Sequence, residues 1–223
     1  MALSFARFTS LAALTAVLGL TSGCQSMVDD AYFSAMEQVG VHKRDLLSSR
    51  IEDSRDAQEE AKVEFQSALD EFKSVTAFQG GDLEATYNRL NSAYESSQAS
   101  AKDVSEKING VERVSTKLFA EWEAELEQYT SASLKQQSAA QLRETQAQYN
   151  ELMASMRKAE QSMQPVLAVF GDQVLFLKHN LNARAIASLK NEVIAVESDV
   201  NQLINEMNRS IAEANDFLAT FEQ

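Results

Sequence analysis

The chain has 223 residues with 7 Gly and 1 Pro, where an average chain of that length uses roughly 27 of the two together. Hairpins, sandwiches and βα units spend those residues at every reversal, so strand-rich folds are excluded and long helices remain. A formal charge of −13, from 20 Lys+Arg against 33 Asp+Glu, disfavours DNA, RNA and anionic lipid headgroups as partners over most of the surface, and 44% hydrophobic residues with 24% charged fit neither a disordered polyampholyte nor a multi-pass membrane protein.

Residues 1–23 read as a cleaved signal peptide: Arg7, an apolar stretch from Leu11 to Leu20, then Thr21-Ser22-Gly23 before Cys24. That stretch is about half the roughly 20 residues needed to cross a bilayer. The sole cysteine follows the small residues and resembles the lipobox of bacterial lipoproteins, with Thr21 where Leu is usual. Cys24 is thus the expected lipidation site, because a lone thiol exported to an oxidising compartment is protected when it carries lipid. A plain secretory signal with a coincidental cysteine, or a buried free thiol, is the competing reading. By resemblance to enteric lipoproteins, Gln25 in place of Asp favours the outer membrane. The expected location is therefore the cell envelope, lipid-anchored and facing the periplasm from the inner leaflet of the outer membrane. Residues 24–40 are the expected membrane-proximal tether, with a candidate short helix ending at Gly40, and residues 41–223 the expected single domain.

From Leu47 a heptad stripe runs through Ile51, Ser54, Gln58, Ala61, Phe65, Ala68, Phe72 and Val75. Gly80-Gly81 breaks it, since two glycines inside a helix would cost about 1 kcal/mol each, and Asp82 is the expected N-cap of the next segment. The second stripe carries Leu83, Tyr87, Leu90, Tyr94, Ser97, Ala101, Val104, Ile108 and Val111. After a phase slip it continues through Leu118, Trp122, Leu126 and Tyr129, with Gly110 as a mild interruption. Ser133 and Gln136 have capping-box spacing, so a third helix is expected there. It carries Leu142, Tyr149, Met153, Met156, Met163, Phe170, Val174, Leu177 and Leu181, with a kink at Pro165. A fourth stripe runs from Leu189 through Val193, Val196, Val200, Leu203, Met207, Ile211, Ala214 and Leu218 to Phe221. Short connectors at 79–82, 130–133 and 180–184 force antiparallel neighbours. The expectation is an all-α, elongated, up-down bundle of about four long helices with coiled-coil packing.

Catalytic signatures are absent from the sequence. The position three before each histidine is Val39 for His42 and Phe176 for His179, so the Glu-x-x-His pair of di-iron bundles is missing. No phosphate-binding loop, nucleophile elbow, zinc-protease helix or EF-hand loop occurs, and one thiol cannot build a zinc-cysteine site. No catalytic residue, metal or cofactor is expected. Glu121, Glu123, Glu125 and Glu127 read as a solvated face, and Trp122 with Met153, Met156 and Met163 as core. Val41 to Asp45 either touches headgroups near the anchor or uses its cations to offset a helix end.

The densest polar-in-apolar cluster is 172–186, where Lys178, His179, Asn180, Asn182 and Arg184 are interleaved with apolar residues. Two readings compete there: a helix reversal with capping asparagines, or a recognition tip for a partner protein or an anionic group.

The blocks Tyr32 to Arg44 (YFSAMEQVGVHKR), Arg55 to Phe65 (RDAQEEAKVEF), Leu118 to Tyr129 (LFAEWEAELEQY) and Gly171 to Leu189 (GDQVLFLKHNLNARAIASL) resemble the bacterial lipoprotein family filed as domain of unknown function 2959. The resemblance implies an exported helical protein with no assigned activity, and transfers no functional residue. The expected function is a non-enzymatic tethered scaffold or protein-binding module, its partners the membrane through the lipid anchor and an envelope protein, with no nucleic acid. Two alternatives stay open: a regulator of an envelope enzyme or weak hydrolase using 171–189, and a self-associating structural coiled coil, a homo-oligomer.

Overall fold

The computed structural model describes residue 36 and residues 42–221. The signal region, Cys24 and the tether, apart from Met36, lie outside the described residues. The chain divides after His42, and the unit beginning at Lys43 is taken by itself. It is all helical among the described residues: α1 Lys43–Thr76, α2 Leu83–Leu126, α3 Ala132–His179, the short α4 Ala183–Leu189 and α5 Val193–Phe221.

The four long helices form a ring in which α1 touches α2, α2 touches α3, α3 touches α5 and α5 returns to α1. Side-chain pairs give the register. Ser97 donates to the Glu64 carbonyl at 3.2 Å and Arg89 pairs with Glu71 at 3.2 Å, so α1 and α2 are antiparallel. The Ser115 and Tyr149 hydroxyls meet at 2.5 Å, while Arg157 donates to Asn109 at 2.8 Å, which makes α2 and α3 antiparallel. Lys158–Glu206 joins α3 to α5, and Lys73–Glu197 and Arg55–Asn215 join α1 to α5 in the same sense. The diagonal partners α1 and α3 are parallel across the core: Ser54 donates to the Met156 sulfur at 3.7 Å, and Phe72 meets Phe170 edge-on at 6.5 Å. Edge-on ring pairs add about 0.5–1.5 kcal/mol beyond their buried area.

Every residue of the first stripe, Leu47 to Val75, is buried, including the polar Ser54 and Gln58. The heptad spacing places them on one face of α1, and that face is covered by the other three long helices. Asp82 is the N-cap of α2, its carboxylate accepting from the Ala85 amide at 3.0 Å. The turn before it uses Gly80 at φ 149° and Gly81 at φ 116°, backbone that L side chains rarely adopt.

Several boundaries differ from the sequence expectation. α3 is capped by Ser131, not Ser133, because the Ser131 hydroxyl reaches the Leu134 amide. Helix α2 ends at Leu126, leaving Tyr129 exposed. Gly110 does not interrupt α2. It is buried opposite Arg50 of α1, where an added Cβ would lie 3.6 Å from the Arg50 side chain. Pro165 sits inside an unbroken α3. Leu189, read as the start of the last stripe, belongs to α4, whose Ala185, Ile186 and Leu189 are buried while α4 packs on α1 and α3.

The helices differ in length, with 34 and 29 residues in α1 and α5 against 44 and 48 in α2 and α3. At 1.5 Å per residue the longer pair outruns the shorter. Lys43 at the start of α1 pairs with Glu121, and Thr220 near the end of α5 meets Gln148. Past those points α2 and α3 continue as a two-helix hairpin, over roughly 8 Å of α2 to Leu126 and roughly 24 Å of α3 back to Ala132. From Ala120 to Gln141 no residue is buried.

Candidate binding turn at residues 174–191

The turn between α3 and α5 lies at the end of the bundle where α1 finishes. Helix α3 closes at Asn180, whose backbone amide bonds to the Phe176 and Leu177 carbonyls and whose side-chain amide donates to Phe176 at 3.0 Å. Asn182 then caps α4, its side-chain oxygen accepting from the Arg184 and Ala185 amides at 3.1 Å each. Both asparagines therefore satisfy helix ends, which is the reversal reading of this block.

Capping leaves the cations unexplained. Lys178, His179 and Arg184 are exposed and make no side-chain hydrogen bond or ion pair among the described residues. Lys190, which the sequence reading did not single out, ends α4 in the same condition. No acidic residue lies between Asp172 and Glu192. Leu175 is 57% exposed and Phe176 40%, on the last turns of α3 beside Lys178 and His179. Lys178 and His179 also lie in the last turn of α3, where positive charge complements the carbonyl end of the dipole. The five sequence candidates are thus gathered into one exposed turn, Asn180 and Asn182 as caps and Lys178, His179 and Arg184 as basic side chains with no partner among the described residues, next to uncovered apolar side chains. The signal for Lys190 was present in the acid-free run. The exposure of Leu175 and Phe176 follows from the stripe itself, since they fall between the core positions Val174 and Leu177 on the outward side of α3.

Residues 32–221 match the family described as protein of unknown function (DUF2959). The chain belongs to that family. No curated protein and no solved structure matches the chain.

Other polar groups in this DUF2959 chain are occupied in holding helices together. Arg44 donates to the Phe221 carbonyl at the end of α5 and stacks 4.7 Å over the Phe221 ring, so this cation of the 41–45 block offsets a helix end. Arg157 ties α3 to α2 through Glu112 and to its own helix through Glu160. Burial works against its charge, but the hydrogen bonds it donates to Glu160 and Glu112, with their negative charge, outweigh that and raise its pKa. The Tyr149 phenol is pushed up by burial, against the lowering effect of its Ser115 hydrogen bond. Its ring meets Phe119 edge-on at 5.2 Å. Met156 and Met163 are buried and Met153 half-buried. Trp122 is only half-buried, its indole N–H donating to Ser138 at 2.8 Å. Glu121, Glu123, Glu125 and Glu127 are all exposed. No helix among the described residues is long and apolar enough to cross a membrane, and no group of three potential metal ligands occurs among them.

Proposed function

We propose that this protein is a non-enzymatic envelope lipoprotein, anchored through Cys24, whose helical bundle serves as a scaffold presenting the 174–191 turn to a partner protein in the periplasm. The observation that carries the reading is the set of exposed basic side chains with no partner among the described residues, Lys178, His179, Arg184 and Lys190, beside exposed Leu175 and Phe176 in a chain of net charge −13. The helix dipole accounts for Lys178 and His179 in the last turn of α3, but Arg184 and Lys190 have no partner among the described residues, and arranged around apolar side chains the four basic groups match an acidic, apolar-centred surface. Placement supports the same reading. The bundle begins at Lys43, and the turn lies at the opposite end of α1, roughly 50 Å away at 1.5 Å per residue over its 34 residues.

Two experiments test the reading. Purification from detergent-solubilised envelopes should retain a partner with the wild-type chain and lose it with Arg184→Glu combined with Lys178→Glu; retention of nothing under any condition counts against a binding module. Palmitate should label wild type and not Cys24→Ala, and unchanged labelling would defeat the anchor.

A further inference from the structure

The two ends of the bundle carry opposite charge around exposed apolar side chains. At the turn, residues 173–191 hold Lys178, Arg184 and Lys190 and no acidic residue, a charge of +3 with His179 neutral. At the opposite end, residues 120–141 around the α2–α3 connection hold Glu121, Glu123, Glu125 and Glu127 against Lys135, a charge of −3. Six large apolar side chains are exposed among the described residues, and four of them sit at these two places: Leu175 and Phe176 at the turn, Tyr129 at 42% and Leu134 at 53% beside the α2–α3 connection. The four glutamates are exposed as well. Glu127 pairs with Lys135 at 2.9 Å and Glu121 with Lys43, while Glu125 makes no hydrogen bond or ion pair among the described residues.

Resting on the reading of the 174–191 turn as a binding surface, we infer that its partner is the acidic α2–α3 end of a second copy of this chain, so that copies join head to tail. The fold forbids the contact within one chain, because α3 runs unbroken from Ala132 to His179 and its 48 residues hold the two surfaces about 70 Å apart. Between copies, Lys178, Arg184 and Lys190 of one meet Glu123, Glu125 and Glu127 of the next, while Leu175 and Phe176 are set against Tyr129 and Leu134. Apolar contact then lies at the centre and complementary charge at the rim. Contact between like ends would bring +3 against +3 or −3 against −3, so charge selects the orientation too. Because the two surfaces differ, each added copy leaves a turn free, and association continues into chains of copies instead of stopping at a dimer. The chain's own residues 25–41, with Asp29, Asp30 and Glu37 and no Lys or Arg, carry the same sign as the acidic end; held against the turn, they would leave the protein monomeric.

Full-length wild type in non-ionic detergent should sediment faster as its concentration rises at about 20 mM salt, and return to monomer at about 0.5 M, where charges are screened within a few ångströms. Lys178→Glu with Arg184→Glu and Lys190→Glu makes both ends acidic. Glu123→Lys with Glu125→Lys and Glu127→Lys makes both ends basic and leaves the Lys43–Glu121 pair in place. Each triple variant alone should lose more than about tenfold in self-association. Mixed, the two should associate again, since the acidic turn of one meets the basic α2–α3 end of the other. Phe176→Ser, which changes no charge, should weaken association about threefold. Wild type that stays monomeric at every concentration overturns the inference; if its turn still retains a different envelope protein, the binding turn stands and the second copy is removed as its partner. Self-association that ignores salt or survives either triple variant overturns it as well, as does a mixture of variants with wild-type circular dichroism that associates no more than its parts.

Discussion

Gln58 lies in the centre of the bundle with no exposed surface, and its Oε1 has no hydrogen-bond partner among the described residues. Its Nε2 donates to the Ser54 carbonyl at 3.2 Å. The Ser54 hydroxyl turns to the Met156 sulfur, and across the core the buried Ser210 hydroxyl is likewise unpartnered. Gln58→Met keeps the length of the side chain and removes both polar ends. An unsatisfied buried acceptor costs about 1–3 kcal/mol, and the lost hydrogen bond returns only about 0.5–1.5 kcal/mol net. The balance is a gain of about 1 kcal/mol, or a rise in Tm of roughly 2–4 °C for a chain of this size. Urea unfolding followed by circular dichroism at 222 nm should show a higher midpoint with an unchanged slope. Gln58→Ala, which leaves a cavity instead, should fall about 2–5 kcal/mol below Gln58→Met. If Gln58→Met loses 1 kcal/mol or more, Oε1 is satisfied in solution and the reasoning fails. Retaining a polar group that weakens the core fits a role in register, since shifting α1 by one heptad would move Gln58 against a different layer.

Two further outcomes follow from the helix contacts. Glu206 has its pKa lowered, chiefly by the hydrogen bond from Lys158 at 2.8 Å; because the folded value is the depressed one, the stabilisation is present above the ordinary glutamate range and is lost as pH falls through the folded value. A carboxyl NMR titration should show Glu206 returning to ordinary behaviour in Lys158→Gln, and an unmoved titration would remove Lys158 as the cause. Gly171→Ala would place a Cβ 2.7 Å from the Tyr94 hydroxyl and 3.3 Å from its ring, so the ordinary helix gain for Ala should be reversed to a loss on the order of 1 kcal/mol. In a Tyr94→Phe background the same exchange should cost less than half as much, and equal costs in denaturant unfolding would show that Tyr94 is not the obstacle.

Local chemistry reaches far into this fold. The shortage of Gly and Pro, the 3–4 spacing of Leu47 to Val75 and the pair Gly80-Gly81 before Asp82 determine four long helices and most of their reversals, because each is decided within a few residues by backbone freedom, capping and helix periodicity. The asparagines at 180 and 182 are legible as caps for the same reason. Tertiary structure decides what depends on unequal helix lengths and on which neighbour arrives. Trp122 and Leu126 carry the same heptad signal as Val104 and Ile108, yet only the latter pair is buried, since α1 and α5 stop before reaching the hairpin. Lys178 and Arg184 stand out in sequence within the polar-in-apolar block 172–186, but only the folded turn shows that no carboxylate among the described residues meets them. Periodicity specifies which side of a helix faces inward; whether anything stands there to cover it is settled by packing between segments distant in the chain.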